Sequence, residues 1–317
     1  MSIAVTGGTG FVGTVLVNKL KQRNVRLIQR RKVELISSIH SCHLHEISSS
    51  TQFGDCLKSC DVVIHSAALV HVMTDSVSKP LEAYREVNTL GTANLARQAA
   101  LSGVKRFIFI SSIKVNGEKT CTNNQFTSAD EHAPEDDYGL SKSKAEQHLF
   151  DIGKKTGMEI VVIRPTLVYG PGVKANFSSL MNLVSKGIPL PFGCITKNKR
   201  SLVSVDNLVD LIVTCIDHPK AANQVFLVSD DRDVSTSEMV REMAIALGKT
   251  TWQLPVPIWC YKLIGKLFNK SDIVDRLIGS LQVDISHTKN TLGWKPPQTL
   301  QDGFKQTAQA FLQANRK

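Results

Sequence analysis

Two side chains four residues apart carry the most specific chemistry in this chain: Tyr138 and Lys142, in the run Tyr138-Gly139-Leu140-Ser141-Lys142. On a helix that spacing sets a phenol and an ammonium on one face. A free tyrosine titrates near ~10, too high for easy proton exchange at neutral pH, and an adjacent cation favours the phenolate. Lys142 is therefore expected to pull the Tyr138 pKa down toward the range that general acid/base catalysis needs. Set over a nicotinamide, such a pair couples proton transfer to hydride transfer. The spacing alone also fits a half-buried tyrosine beside a solvated lysine, so the reading depends on what lies upstream.

Upstream, a short apolar strand over Ser2 to Thr6 runs into Gly7-Gly8-Thr9-Gly10-Phe11-Val12-Gly13 and then an amphipathic segment from Thr14 to Gln22. Strand, glycine turn and helix in that order form a dinucleotide site. Gly7 permits the tight turn, Gly10 lets backbone approach a pyrophosphate, Gly13 lets helix pack on strand, and the anion meets the helix N-terminus. Thr9, Phe11 and Val12 belong to the same cofactor-binding turn. A second strand, Val25 to Gln29, should end where the adenosine ribose is read. An acid there marks NAD, whereas a nearby Arg receives the 2′-phosphate of NADP. The chain reads Gln29-Arg30-Arg31-Lys32, which favours NADP(H), with NAD(H) as the alternative.

In His40-Ser41-Cys42-His43-Leu44-His45, His43 and His45 would share a strand face. No second ligand group follows at suitable spacing, so no metal is expected. Asp61 to Ala68 reads as a buried parallel strand with a small-residue end, where Ala67 and Ala68 leave room for a cofactor and His65 packs in the core. A helix from Glu82 to Ala100 carries Asn88. Then come a strand from Arg106 to Ile110 ending in Ser111-Ser112, a helix from Tyr138 to Gly153 and a strand from Glu159 to Arg164. The alternation predicts an α/β fold with a doubly wound parallel (Rossmann-type) sheet. Ligands in such sheets lie at the carboxyl ends of the strands, where Gly7, Ala67 and Ser112 should converge.

The chain has 317 residues, 42% hydrophobic and 21% charged, which suits an ordinary globular protein with ample core. No apolar run reaches the ~18 residues of a membrane span, and no signal peptide precedes the first strand, so a cytoplasmic location is expected. Seven cysteines without a CxxC pair suggest reduced thiols. With 38 Lys and Arg against 28 Asp and Glu, the net charge of +10 favours anionic partners. The bases are scattered and no nucleic-acid-binding pattern accompanies them, so phosphorylated small molecules are the better candidates.

With these residues in place the chain resembles the extended short-chain dehydrogenase/reductases, in particular the nucleotide-sugar epimerase/dehydratase/reductase group. The likeness runs through TGGTGFVG at 6–13, the small residues Ser66-Ala67-Ala68, VNTLGT at 87–92, ISS at 110–112, YGLSK at 138–142 and RPTLVYGPG at 164–172. It continues in RSLVSVDNL at 200–208 and LGWKP at 292–296. The resemblance implies that Tyr138 exchanges a proton at the reacting oxygen and that Lys142 tunes it and holds the nicotinamide ribose. Ser112 would hydrogen-bond the same oxygen, Ser111 would serve the strand end, and Asn88 would be structural or part of a water relay. It also implies that Arg200 grips the pyrophosphate of a UDP-linked nucleotide-sugar, with Arg276 as a second such group and Asn176-Phe177 at the substrate. Relatives of this kind often form homodimers through the helices carrying Asn88 and Tyr138.

Sugar 4,6-dehydratases of the group carry an Asp-Glu pair where this chain has Ile113 and Lys114, so dehydration is not expected. Asn116-Gly117 replaces a common Tyr-Gly. By the same resemblance, residues 1–170 with a returning segment at about 202–230 would form the dinucleotide-binding domain, and 171–201 with 231–317 a smaller α/β substrate lobe. Phe226 to Ser229, in the returning segment, reads as a strand, and Ser235-Thr236-Ser237-Glu238 in the lobe has the spacing of a capping box. Trp252 to Phe268 is apolar with Lys262 and Lys266 interspersed, which reads as a helix packed in the lobe, with a membrane-surface contact as the rival. The leading expectation is an NAD(P)H-dependent reductase of a nucleotide-linked 4-keto sugar, a UDP-4-keto-6-deoxy-N-acetylhexosamine, in surface polysaccharide synthesis. A UDP-hexose 4-epimerase and a non-catalytic dinucleotide sensor are the alternatives.

Overall fold

The computed structural model describes residues 1–30, 39–44, 46–70, 80–121 and 124–315. Ten strands occur among them: β1 (Ser2–Thr6), β2 (Asn24–Gln29), β3 (Ile39–His43), β4 (Val62–His65), β5 (Arg106–Ile110), β6 (Glu159–Pro165), β7 (Leu167–Tyr169), β8 (Arg200–Ser204), β9 (Gln224–Val228) and β10 (Asp233–Val234). Seven form one sheet in the order β3-β2-β1-β4-β5-β6-β9, and every pairing in it is parallel. The expected Rossmann-type sheet is therefore present. Strands such as Phe107-Ile108-Phe109 are buried on both faces, as continuous apolar runs covered by helices must be.

Of α1 (Phe11–Lys19), α2 (Gly54–Leu57), α3 (Pro80–Tyr84), α4 (Thr92–Leu101), α5 (Asp137–Thr156), α6 (Ala175–Ser185) and α7 (Val205–Asp217), all but α6 lie on the large sheet's side of the molecule. They pack into two apolar clusters, one around Leu16, Ile64 and Leu211, the other around Phe107, Ala96 and Leu149. The helix expected from Glu82 to Ala100 is divided. A π-helical stretch, Arg85–Gly91, joins α3 to α4 and carries Asn88. Such stretches mark functional sites often enough to notice. α5 begins where its sequence says it should: Asp136 caps it by accepting from the Gly139 amide at 2.7 Å.

The remaining helices are α8 (Thr236–Ala246), α9 (Ile258–Leu267), α10 (Ser271–Ile278), α11 (Ser286–Leu292) and α12 (Leu300–Ala314). β10, β8 and β7 make a small second sheet, with β7 parallel and β10 antiparallel to β8. Its core gathers Tyr169, Phe177, Leu202, Val240 and Phe304. β9 returns to the edge of the large sheet beside β6. The capping box is half formed. Ser235 accepts from the Glu238 amide at 3.0 Å, while the Glu238 carboxylate turns instead to Arg232 at 2.6 Å.

Two expectations are corrected here. Cys42 on β3 and Cys56 on α2 are joined in a disulfide, with Cα atoms 5.6 Å apart, so the thiols are not all free. Fourteen residues of sequence hide that juxtaposition, which arises because α2 packs beside the edge strand. In the stretch Trp252 to Phe268 only Ile258–Leu267 is helical, and in that helix, α9, only Tyr261 and Gly265 are buried. Trp259, Leu263 and Leu267 are left in solvent.

One buried ion pair fastens the large sheet to α5. Glu146 is fully buried and Arg164, at the end of β6, is 2% exposed. Arg164 donates from Nε and Nη2 to the Glu146 carboxylate at 3.0 and 2.6 Å. Breaking a buried pair leaves an uncompensated charge, which costs about 3–5 kcal/mol. Arg164→Met is therefore expected to lower the urea-unfolding free energy by about that amount, and Arg164→Met with Glu146→Leu to recover a large part of it.

Candidate active site

A parallel sheet whose strand order reverses between β1 and β4 opens a crevice at their carboxyl ends. Thr6 pairs with Ile28 on one side and His65 on the other, and His65 with Phe109, so the four strand ends line up. The turn after β1 has Gly7 at φ +74°, and a Cβ there would lie 2.5 Å from the Ala67 amide nitrogen. A Cβ on Gly13 would lie 2.0 Å from the Gly7 carbonyl oxygen. Both positions need glycine: the first for backbone conformation and strand contact, the second for helix packing. Thr9 and Gly10 are exposed at the mouth, while Phe11 and Val12 pack on the core. α1 starts at Gly10 with no side-chain cap and no acid in its first turn, so its free amides suit an anion.

Gln29, at the end of β2, is 7% exposed, and both its amide nitrogen and oxygen lack a partner among the described residues. Buried amides are seldom left so, and an unpartnered pair at the ribose-reading end of a dinucleotide fold fits hydroxyls that donate and accept. The residues present therefore fit a dinucleotide. Arg30 is exposed, and Arg31 and Lys32 lie outside the described residues. His65 is the packed core histidine expected. It bonds Thr6 at 2.6 Å and Thr92 at 2.8 Å, and burial together with the Lys142 charge pushes its pKa down to about 3. No group of three metal-ligating side chains occurs among the described residues, and His45 lies outside them.

Across the crevice, Ser112 follows β5 and caps a short 3₁₀ turn, Ile113–Val115, accepting from the Lys114 amide at 3.3 Å. Ser111 points the other way and donates to Glu146. Lys114 pairs with Glu118 at 2.6 Å and with Asp136, tying this turn to the N-cap of α5. Burial opposes its charge, but those two carboxylates prevail and raise its pKa. Ile113 is 4% exposed, so neither it nor Lys114 brings a carboxyl group to this turn.

Tyr138 is half-buried, its ring edge-to-face with Tyr84 at 6.1 Å between centroids, and its hydroxyl makes no hydrogen bond among the described residues. Lys142, 2% exposed, donates to the Ile110 carbonyl at 2.8 Å and sits 4.4 Å over the Phe109 ring and 6.0 Å from the Tyr138 ring centre. The expected tuning is not present in the protein alone. Burial, then the charge of Asp136, pushes the Tyr138 pKa up rather than down. Burial also lowers Lys142 to about 7, against the pull of Glu146. Desolvation dominates because the lysine sits under the sheet end and makes its bond to a carbonyl instead of to the phenol.

Asn88 is a clamp. Its side chain receives the Leu69 amide at 2.8 Å and donates to the Leu69 carbonyl at 2.9 Å and to Ser141 at 3.1 Å, so it joins the segment after β4 to α5. Arg200, on β8, donates to the carbonyls of Arg276 and Gly279 at 2.6 and 3.3 Å through one nitrogen, leaving Nε and Nη2 without partners among the described residues. Burial, then the Arg276 charge, lowers its pKa. Arg276 itself is exposed, 3.6 Å from Glu118. Phe177 is stacked on Tyr169 in the small core, with ring centres 5.5 Å apart. The Asn176 side chain lies outside the described residues. A polar cavity of about 430 Å³ lined by Gln125, Thr127, Lys199, Gln282 and Asp284 includes none of Ser112, Tyr138 and Lys142.

Sequence reading missed a network behind the site. Arg164 also donates to Asn116 at 2.9 Å and to His132 Nε2 at 2.6 Å, and His132 Nδ1 faces Ser143 at 2.8 Å. Asn116, whose side chain also donates to the Thr127 carbonyl, thus anchors the loop after Ser112. The available signal was an acid at 146, one helical repeat beyond Lys142 on the face of Tyr138, and an arginine ending an otherwise apolar strand.

The sequence profile of the NAD dependent epimerase/dehydratase family matches residues 3–229. A UDP-glucose 4-epimerase of Vibrio cholerae is 68% identical over 318 residues, covering 100% of this chain and 97% of the relative. An N-acetyl-alpha-D-glucosaminyl-diphospho-ditrans,octacis-undecaprenol 4-epimerase of Escherichia coli O157:H7 is 26% identical, covering 99% and 97%. The crystal structure of UDP-glucuronic acid 4-epimerase from Bacillus cereus in complex with NAD superposes with a TM-score of 0.78 at 22% identity, covering 99% of each chain; that likeness shows the fold.

The lysine generates a prediction. Folding lowers the Lys142 pKa from its ordinary value near ~10.4 to about 7. Between those values the unfolded chain binds the extra proton, so this group makes stability rise with pH from about 7 to about 10. Below pH 7 both states are charged and the burial penalty is constant. Thermal unfolding of wild type and Lys142→Met across that window should show a difference in Tm that moves in the wild type's favour as pH climbs. A difference independent of pH would refute the assignment.

Proposed function

Because the chain belongs to the NAD dependent epimerase/dehydratase family, we propose that it is a 4-epimerase of UDP-linked hexoses with NAD as its resident cofactor. The observation that carries this reading is the 68% identity to the Vibrio cholerae UDP-glucose 4-epimerase across the whole chain. It displaces the reductase expectation, which leaned on a basic strand end suited to NADPH. The described part of that end is the buried, uncharged Gln29, and Arg30 beside it is exposed. An unpartnered amide suits ribose hydroxyls better than a phosphate dianion, and the Bacillus cereus epimerase holds NAD. NAD therefore replaces NADP in the assignment.

When bound, NAD supplies a hydride acceptor whose ring carries positive charge. Gly7, Gly10 and the first amides of α1 would hold its diphosphate, Gln29 its adenosine ribose, and Ala67 and Ala68 would leave it room. The chain's own work is proton handling. Tyr138 takes the proton of the sugar 4-hydroxyl and returns it to the same oxygen, and Ser112 holds that oxygen by a hydrogen bond. Inverting one carbon needs no second acid or base, which agrees with Ile113 and Lys114 at the dehydratase positions. Arg200 presents its two unpartnered nitrogens to the substrate diphosphate.

Incubation with UDP-galactose and no added cofactor is expected to yield UDP-glucose. Turnover confined to a 4-keto sugar with added NADPH would restore the reductase. Tyr138→Phe should lower kcat by about 10²–10⁴ while the nucleotide released on denaturation, read by mass, remains NAD. Unchanged activity in that variant would favour the non-catalytic sensor.

A second reading keeps the chemistry and changes the carrier. The Escherichia coli relative is named for a sugar diphosphate on undecaprenol, and α9, packed against the helix bearing Arg276, exposes apolar side chains. Side-by-side turnover of N-acetylglucosaminyl-diphospho-undecaprenol and UDP-N-acetylglucosamine separates the readings, because the second requires the lipid-linked sugar to be used faster.

A further inference from the structure

Nine of the eighteen large apolar side chains exposed among the described residues fall between Trp252 and Ile273. Scattered apolar residues need no explanation, but such a concentration does. On α9, Trp259 (65% exposed), Leu263 (51%) and Leu267 (72%) follow one another at single-turn spacing, with Phe268 (70%) at the helix end. Trp252 (73%) precedes the helix and Ile273 (59%) follows it on α10. The buried side of α9 is narrow. Tyr261 reaches the core, and Gly265 lets α10 come close, since a Cβ there would meet Val274 at 2.8 Å. A helix whose wider apolar face looks outward has an unmet partner.

Charge identifies the partner. Lys262 and Lys266, one turn apart, lie between the buried face and the apolar row, and Lys270 follows in the turn between α9 and α10. All three are exposed, and none pairs with a carboxylate among the described residues. The nearby acid Asp275 is held by Lys119 at 3.0 Å. A second copy of this surface is a poor match, because a two-fold contact would set the lysine row against itself. A sheet of anionic lipid headgroups supplies distributed negative charge above an apolar interior. Lysine stems can cross that boundary with their ammonium groups in the headgroups.

We propose that α9, with Trp252 before it and Ile273 after it, docks this protein on the surface of an anionic lipid bilayer. The apolar row enters the headgroup boundary and the three lysines hold the phosphates. No helix among the described residues is long and apolar enough to cross a membrane, so the contact is peripheral. It is independent of which carrier the sugar bears. Its consequence is orientation: the carbonyls of Arg276 and Gly279 at the end of α10 hold Arg200, so docking sets the proposed diphosphate grip near the bilayer.

The test is co-sedimentation of the full chain with phosphatidylcholine vesicles, with and without phosphatidylglycerol, while tryptophan fluorescence is followed. Trp252 and Trp259 are exposed whereas Trp294 is 5% exposed, so binding should shift the emission to the blue. Partition is expected only with phosphatidylglycerol and should weaken with salt. Each lysine near an anionic surface contributes about 1 kcal/mol. Reversing all three in Lys262→Glu, Lys266→Glu, Lys270→Glu should therefore reduce partition on the order of a hundredfold or more. Trp259→Ser with Phe268→Ser should reduce it as well, and UDP-sugar turnover in both variants should equal wild type. Absence of partition into phosphatidylglycerol vesicles, or partition indifferent to both variants, would overturn the proposal. So would self-association of the wild type that vanishes in the Trp259→Ser, Phe268→Ser variant, because a second copy would then be the occupant.

Discussion

The pairing of Glu146 with Arg164 is the interaction on which the geometry of the candidate site depends. It joins α5, which carries Tyr138 and Lys142, to β6, and through Ser111, Asn116 and His132 it reaches the loop that carries Ser112. Two full charges stay buried together because every oxygen and nearly every guanidinium nitrogen finds a partner, the condition under which such a pair is tolerated. Since Arg164 Nη2 donates to His132 Nε2, the imidazole accepts there as a neutral ring and its proton lies on Nδ1 toward Ser143. Burial holds the His132 pKa below its ordinary value, which is consistent with that tautomer. The residues proposed to handle the proton thus stand on a rigid support, as sub-ångström positioning requires.

Within that support the proposed proton-transfer pair is electrostatically unfinished. Tyr138 and Lys142 are both disfavoured in their charged forms by burial. A phenol raised and an ammonium lowered move apart in proton affinity, and neither lies where the spacing rule alone would put it. A bound cationic ring would favour the phenolate, so in the proposed reaction the phenol would be tuned by the cofactor. Asn88 and Lys114 bracket the same helix from opposite sides, one fixing Ser141 to the segment after β4, the other fixing the N-cap to the turn after Ser112.

The smaller sheet and its helices have a different logic. Motifs that look substrate-related turn out to be packing devices as well: Ser204 caps α7, Asn207 bonds Asp230 and the Gln298 carbonyl, and the indole of Trp294 donates to Asp210. These contacts seat the end of β8 and therefore Arg200. α9 and α10 pair through Tyr261, Gly265 and Val274, and the wider apolar face of α9 points outward.

The sequence by itself determined the βα alternation, the glycine turn after β1, the capping residue Ser235, and the spacing of Tyr138 and Lys142. Each is a local property: a period, a backbone conformation or a side chain reaching its own turn. Tertiary structure alone decided the rest. The Cys42–Cys56 disulfide, the Arg164 network, the direction of both pKa shifts and the outward face of α9 depend on which distant segments pack together and how completely they exclude water. No spacing along the chain encodes desolvation, and that is why Lys142, read as a cation tuning its neighbour, proves to be a buried amine bound to the Ile110 carbonyl.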